Sequence, residues 1–234
     1  MTTEAVVFDL FGTLVPEFDR DEFCETVRAM AASLGAPPER FEAEWHATAI
    51  ERQTGVFADV DANVRAICAT LDVTVDDAAL ARAIALRDAL YDRWFHPRDG
   101  AVETVRELKA RGYPLALVSM CAPDAPARFR ACDLARYVDV EVFSSETGLR
   151  KPHPSIYGAA CQSLRVEPRR CLYIGDGAYG ELTGAAAFGM RAFLLRDPNV
   201  DPSRQLIPER DEAWTGEEIA DLRDLLELLP GAAT

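Results

Sequence analysis

The residues best suited to chemistry stand in four short stretches of this 234-residue chain. Asp9 and Thr13 lie in Ala5-Val-Val-Phe-Asp9-Leu-Phe-Gly-Thr13-Leu-Val15, and Ser119 closes Leu115-Ala-Leu-Val-Ser119. Lys151 sits in Gly148-Leu-Arg-Lys-Pro-His-Pro154, and Asp176 and Glu181 in Gly175-Asp-Gly-Ala-Tyr-Gly-Glu181. Carboxylates, hydroxyls and an ammonium are the groups that attack, hold or neutralise an anion. Each stretch alone also has a bland reading: a turn residue or helix cap for Asp9, an ordinary strand end for Ser119, a common turn for Gly-Asp-Gly. Lysine is rare here: Lys109 and Lys151 are the only two of the 25 basic residues that are not arginine. Lys109 falls on an expected solvated helix face, which leaves Lys151 as the lysine worth a role.

The elements that must position these groups follow from periodicity. A short apolar run bounded by Gly12 predicts a strand buried on both faces of a parallel sheet. It delivers Asp9 to the C-terminal end, where open α/β sheets bind ligands. From about residue 98 helix and strand alternate, with strands expected at 115–119, 140–143, 171–176 and 192–195 and helices between them. That rhythm predicts a Rossmann-like, doubly wound parallel sheet. Residues 16–96 instead show helical spacing throughout, as in Phe23, Val27, Met30, Ala31 and Leu34, with stops at Gly35, Thr54-Gly55 and Pro97. The expected organisation is therefore an α/β core from 1–15 and 97–234 with an inserted all-helical cap at 16–96, able to form a small bundle of its own. Residues 197–214 read as a long surface loop. Thr215-Gly-Glu-Glu218 reads as a capping box that opens a last helix over 219–229.

Composition bounds the partners. With 25 basic and 39 acidic residues the net charge is −14, which argues against nucleic acid and against an anionic membrane surface. An anion must therefore be held by local cations, a metal or backbone N–H groups. Six cysteines without a C-x-x-C pair read as reduced thiols. With no signal-peptide pattern and no apolar stretch of membrane-spanning length, the expectation is a soluble cytoplasmic protein. Oligomeric state is open.

In order and spacing, the four stretches resemble the motifs of the haloacid dehalogenase (HAD) superfamily over residues 4 to about 195. The helical insertion falls where that superfamily places a cap. The resemblance implies a nucleophile at Asp9, with Thr13, Ser119 and Lys151 completing the catalytic set and with Ser119 and Lys151 holding phosphate oxygens. It implies Mg²⁺ bound by Asp9, the backbone carbonyl of Phe11 and Asp176, with Glu181 as a further acid. The substrate would be a small phosphorylated molecule, attacked through an aspartyl-phosphate. One position departs from the phosphatase pattern: Phe11 stands where those enzymes carry a second Asp, the general acid and base, whose loss typically costs about 10²–10⁴ in rate.

That departure keeps alternatives open. Phosphonate-cleaving relatives use a cap lysine, and residues 16–96 contain none. Metal-free 2-haloacid dehalogenases share an aromatic residue at position 11 and pair similar groups with a tyrosine such as Tyr157. They carry uncharged residues in the fourth motif, whereas Asp176 beside Asp9 calls for a cation between them. A binding protein with little turnover is the remaining alternative. Cap residues that could read the substrate are His46, Arg52 and Thr54.

Overall fold

The computed structural model describes residues 2–207, 210–211 and 214–231. Six parallel strands form one sheet in the order β3-β2-β1-β4-β5-β6. They are β1 (Ala5–Phe8), β2 (Leu115–Ser119), β3 (Val140–Phe143), β4 (Cys171–Gly175), β5 (Arg191–Leu195) and β6 (Glu217–Ile219). The N-terminal strand is thus central, paired in register with β2 on one side and β4 on the other. Chain order reverses across it, which opens a crevice at the C-terminal strand ends. Every residue of β1 is buried, with Val6 and Phe8 in one apolar cluster and Ala5 and Val7 in the other, as a strand covered on both faces requires.

Five helices separate β1 from β2: α1 (Arg20–Ser33), α2 (Pro38–Ala47), α3 (Ala49–Gln53), α4 (Val60–Thr70) and α5 (Asp77–Trp94). Asp19, Asp59 and Asp76 cap α1, α4 and α5 through side-chain acceptors. Next come α6 (Ala101–Ala110), α7 (Ala125–Ala131) and α8 (Ser144–Thr147), then α9 (Pro154–Leu164), α10 (Glu181–Phe188) and α11 (Asp224–Leu228). Helices α9 and α10 cover one face of the sheet. The other face packs on α6, α7 and α11, and the same cluster of buried side chains runs on through Phe18, Phe23, Val27, Trp45 and Leu90 into the inserted helices.

Two sequence expectations need correction. The stretch read as a capping box, Thr215-Gly-Glu-Glu218, opens no helix: its Glu217 and Glu218 lie on β6, an edge strand beside β5. They pair with Arg191 and Arg196 of and just beyond β5. Charged cross-strand pairs on a short edge carry no helical or strand periodicity, so only α11 remains of the expected helix. The stretch 197–214 is not a plain surface loop either: its described part lies against the sheet's C-terminal edge through Leu206, Ile207, Arg210 and Asp211. Among the described residues, no helix is long and apolar enough to cross a membrane.

Candidate active site

Asp9 follows β1 directly, its N–H donating to the Ile174 carbonyl of β4 (2.9 Å). Lys151, only 3% exposed, donates from Nζ to Asp9 Oδ1 and to Glu181 Oε2 (2.5 Å). Glu181 is fully buried at the start of α10, and it also accepts from the Tyr173 hydroxyl (2.7 Å) and the Gly177 N–H (2.9 Å). A Cβ on Gly175 would stand 2.1 Å from Glu181 Oε1, so glycine there lets this carboxylate tuck beneath the strand end. Burial works against the charge of Lys151, but Asp9 and Glu181 outweigh it and hold the ammonium above its usual range. Burial, then the Asp9 charge, push Glu181 up to about 8. Burial likewise raises Asp9 against the pull of Lys151.

Asp176 lies on the far side of Asp9's turn, in the space beside Gly12. A Cβ at Gly12, whose φ is +79°, would meet Asp176 Oδ2 at 2.0 Å. Arg210 donates to Asp176 Oδ2 (2.8 Å) and to its carbonyl (3.3 Å), and binds Glu17 with its other terminal nitrogen. Burial, then the Asp176 charge, push Glu17 up to about 7.

The donor set fits a divalent cation. Oxygens of Asp9, Asp176 and Glu181 lie within 4.8 Å of one another, with little of any of the three side chains exposed. With Glu17, four carboxylates face two cations, Lys151 and Arg210, so the cluster reaches a formal charge of −2 only when every acid is ionised, the form that a divalent cation would favour. Hard oxygen donors suit Mg²⁺. Asp9 Oδ2 has no hydrogen-bond partner among the described residues. Both Glu181 oxygens are engaged, so that acid supports Lys151 and Tyr173 first. The turn after Asp9 closes on the carbonyls of Leu10 and Val15 rather than that of Phe11.

Thr13 Oγ1 and Ser119 Oγ, two of the other buried atoms without a partner among the described residues, stand at the same sheet edge. Leaving such a group unsatisfied costs about 1–3 kcal/mol. Thr13 follows β1 and Ser119 ends the adjacent β2, so these unfilled valences gather at one edge of the sheet. Asp9 opens into a pocket walled by Phe11, Phe18 and Tyr91, with Arg52, Gln53 and Glu17 also lining it.

The structure brings Asp9, Thr13, Ser119, Lys151, Asp176 and Glu181 to the C-terminal edge of the sheet, and sets Phe11 and Arg52 in the pocket wall. His46 is exposed and stands with Cys24 and Glu42 between α1 and α2. The Thr54 hydroxyl donates to the Ile50 carbonyl (2.8 Å). Tyr157 packs on the opposite face of the sheet, its hydroxyl donating to the Glu181 carbonyl (2.9 Å). None of these three lines the pocket among the described residues. Glu17 and Arg210 were not singled out in the sequence. Glu17 follows Pro16 at the exit of the first stretch, and Arg210 lies in a segment with no periodicity.

Comparison with known proteins agrees with this architecture. Residues 3–189 match the haloacid dehalogenase-like hydrolase family. The chain is 25% identical over 226 residues to (S)-2-haloacid dehalogenase 1 of Pseudomonas sp., covering 93% of this chain and 95% of that protein. It is 31% identical over 134 residues to the human haloacid dehalogenase-like hydrolase domain-containing protein 3, a match spanning 55% of this chain and 53% of that one. Among solved structures, a HAD phosphatase from Thermococcus onnurineus superposes with a TM-score of 0.66 at 20% identity, covering all of both chains. L-2-haloacid dehalogenase from Xanthobacter autotrophicus, with chloropropionic acid covalently bound, gives 0.63 at 21%, over 99% of this chain and 100% of that one. With its motifs at the strand ends and the family match over most of its length, the chain belongs to the haloacid dehalogenase-like hydrolases.

Proposed function

We propose that this hydrolase is a Mg²⁺-dependent phosphatase of a small phosphorylated metabolite, acting through an aspartyl-phosphate on Asp9. The observation that carries the reading is the buried cluster of four carboxylates against two cations, beside the unpartnered Thr13 and Ser119 hydroxyls. It combines a charge deficit for a divalent cation with donors for an anion's oxygens. Mg²⁺, held by Asp9, Asp176 and the Phe11 carbonyl, would supply the charge that lets a carboxylate approach a phosphate. Asp9 attacks phosphorus, and the bond to the leaving oxygen breaks as that oxygen takes a proton. Thr13 and Ser119 donate to phosphoryl oxygens, and Lys151, steadied by Glu181, holds the nucleophile in place. Water then attacks the phosphoryl group, releasing phosphate and restoring Asp9. Glu17 and Asp9 are the carboxylic acids among the described pocket-lining residues, so Glu17 is the candidate proton donor in place of the acid absent at Phe11. Residues 16–96 act as the cap over a core of 1–15 and 97–234, moving about 15–18 and 95–98 to admit substrate.

A second reading, 2-haloacid dehalogenation, is favoured by one observation: Arg210 already places a cation on Asp176. Asp9 would then displace halide from carbon, and water would hydrolyse the ester. Phosphate release from a panel of phosphorylated metabolites, with Mg²⁺ or with excess EDTA, tests the first reading beside Asp9→Asn. Release that needs both Mg²⁺ and Asp9 is expected. Chloride release from 2-chloropropionate that EDTA leaves intact, without phosphate release, would replace it with the second. Silence in both assays would leave ligand binding without turnover.

A further inference from the structure

Two arginines line the pocket, and they are held differently. Arg87 of α5 forms a bidentate ion pair with Asp124, through Nε (2.5 Å) and Nη2 (3.2 Å). Arg52 of α3, 5% exposed, has no carboxylate partner among the described residues. Its Nη1 donates to the Asn63 side-chain oxygen (2.7 Å), the Trp45 carbonyl (3.0 Å) and Thr48 Oγ1 (3.4 Å), and its guanidinium lies 4.0 Å over the Trp45 ring. Those contacts fix the side chain yet cancel none of its charge. Nε and Nη2 accept no assignment among the described residues, leaving free the fork edge that matches a carboxylate.

We propose that Arg52 binds a carboxylate of the substrate, so that the substrate class is a small carboxylic acid whose scissile group faces Asp9 across an aromatic-walled pocket. The proposal rests on the pocket at Asp9 being the substrate site, and holds for either leaving group. A buried guanidinium without a counter-ion is expensive, and an incoming carboxylate recovers that cost. Burial, then the nearby Arg87 charge, lower Arg52 to about 9, which still leaves it charged at neutral pH. A planar fork with one free edge suits a carboxylate bidentately. The walls of Phe11, Phe18 and Tyr91 suit a short apolar spacer between the two ends.

The test compares isosteric ligands that differ only in that charge. Phosphonoacetate and phosphonoacetamide are titrated calorimetrically into the full chain with Mg²⁺, and 2-chloropropionate and 2-chloropropionamide into the Asp9→Asn protein. The acid of at least one pair should bind about tenfold or more tighter than its amide. That preference should fall to about one in Arg52→Gln and survive in part in Arg52→Lys, which keeps the charge without the fork. The wild-type ligand comparison remains decisive if a variant fails to fold. A phosphonate pair that binds without acid preference, with no preference in the chloro pair, overturns the role of Arg52 while sparing the phosphoryl site. Preference in the chloro pair alone sinks the phosphatase reading and keeps Arg52. Preference that persists in folded Arg52→Gln, or no binding by any of the four ligands, overturns the proposal.

Discussion

At position 11 the ring of Phe11 is one panel of an aromatic wall, with centroids 5.4 Å from Phe18, 5.7 Å from Phe95 and 6.4 Å from Tyr91. It joins the first motif to α5 where a proton-transferring site would place an acid. Glu17 is the group whose protonation carries a consequence there. Arg210, Asp176 and the Ile207 N–H face it. Its folded pKa of about 7 lies above the ordinary 4.5, so the native protein keeps a proton that the unfolded chain gives up. That contribution is complete below the unfolded value and is lost as pH rises toward the folded one, at up to about 1.4 kcal/mol per pH unit. In EDTA, the melting temperature is therefore expected to fall between pH 5 and pH 7, and to fall less steeply in Glu17→Gln. Parallel slopes would show that Glu17 does not titrate in this window. The strand-end positions of Asp9, Ser119 and Asp176 were legible because each ends or follows a local apolar run. The Glu17–Arg210 pair was not, since 193 positions separate its members and neither sits in a periodic segment.

Among the elements, the segment after β5 does more than its composition suggests. Arg204 reaches Asp19 (2.5 Å) at the cap of α1, Ile207 donates to Glu17 (2.9 Å), and Asp211 accepts from Leu182 (2.8 Å) in the first turn of α10. A strap so tied presents Arg210 to Asp176. Prolines and charges announce a loop in the sequence, but they do not say which surface it lies on. β6 was hidden for a related reason: its three residues draw their stability from pairing with β5, not from their own pattern. The strap also predicts competition. A unit charge about 4 Å from a carboxylate is worth about 4 kcal/mol at an effective dielectric of about 20, and a divalent cation must share or displace it. Arg210→Ala is expected to bind Mn²⁺ about tenfold or more tightly by calorimetry, with no turnover needed for the reading. Unchanged or weaker affinity would mean that the guanidinium does not contest the metal position.

For the whole molecule, the deciding feature is that the apolar interior does not stop at the boundaries of the inserted segment. Val27, Met30, Trp45, Val64 and Leu90 belong to the same buried cluster as Val6, Phe8, Leu117 and Leu172 of the sheet. Polar ties run the same way. Arg98, just past the insertion, donates from its side chain to the Gly12 carbonyl (2.6 Å) and from its backbone to Leu14 (2.9 Å). Arg87 and Tyr91 of α5 bind Asp124, across from them in the α/β half. Helical periodicity correctly marks residues 16–96 as all-helical, yet periodicity reports which face of a helix is apolar, not what that face meets. An autonomous bundle and a layer packed on the sheet share one pattern. A fragment of roughly 80 residues buries only about 60% of its chain surface even when well packed, and this one would lose the Phe11 ring that packs on Phe18 and Tyr91. Urea unfolding of the full chain is therefore expected to give one transition, coincident by far-ultraviolet circular dichroism and tryptophan fluorescence. The isolated fragment 16–96 should show weak helicity and no cooperative transition. A sigmoidal transition in that fragment would mean that the inserted helices hold a core of their own, and that the cluster they share with the sheet adds little to their stability.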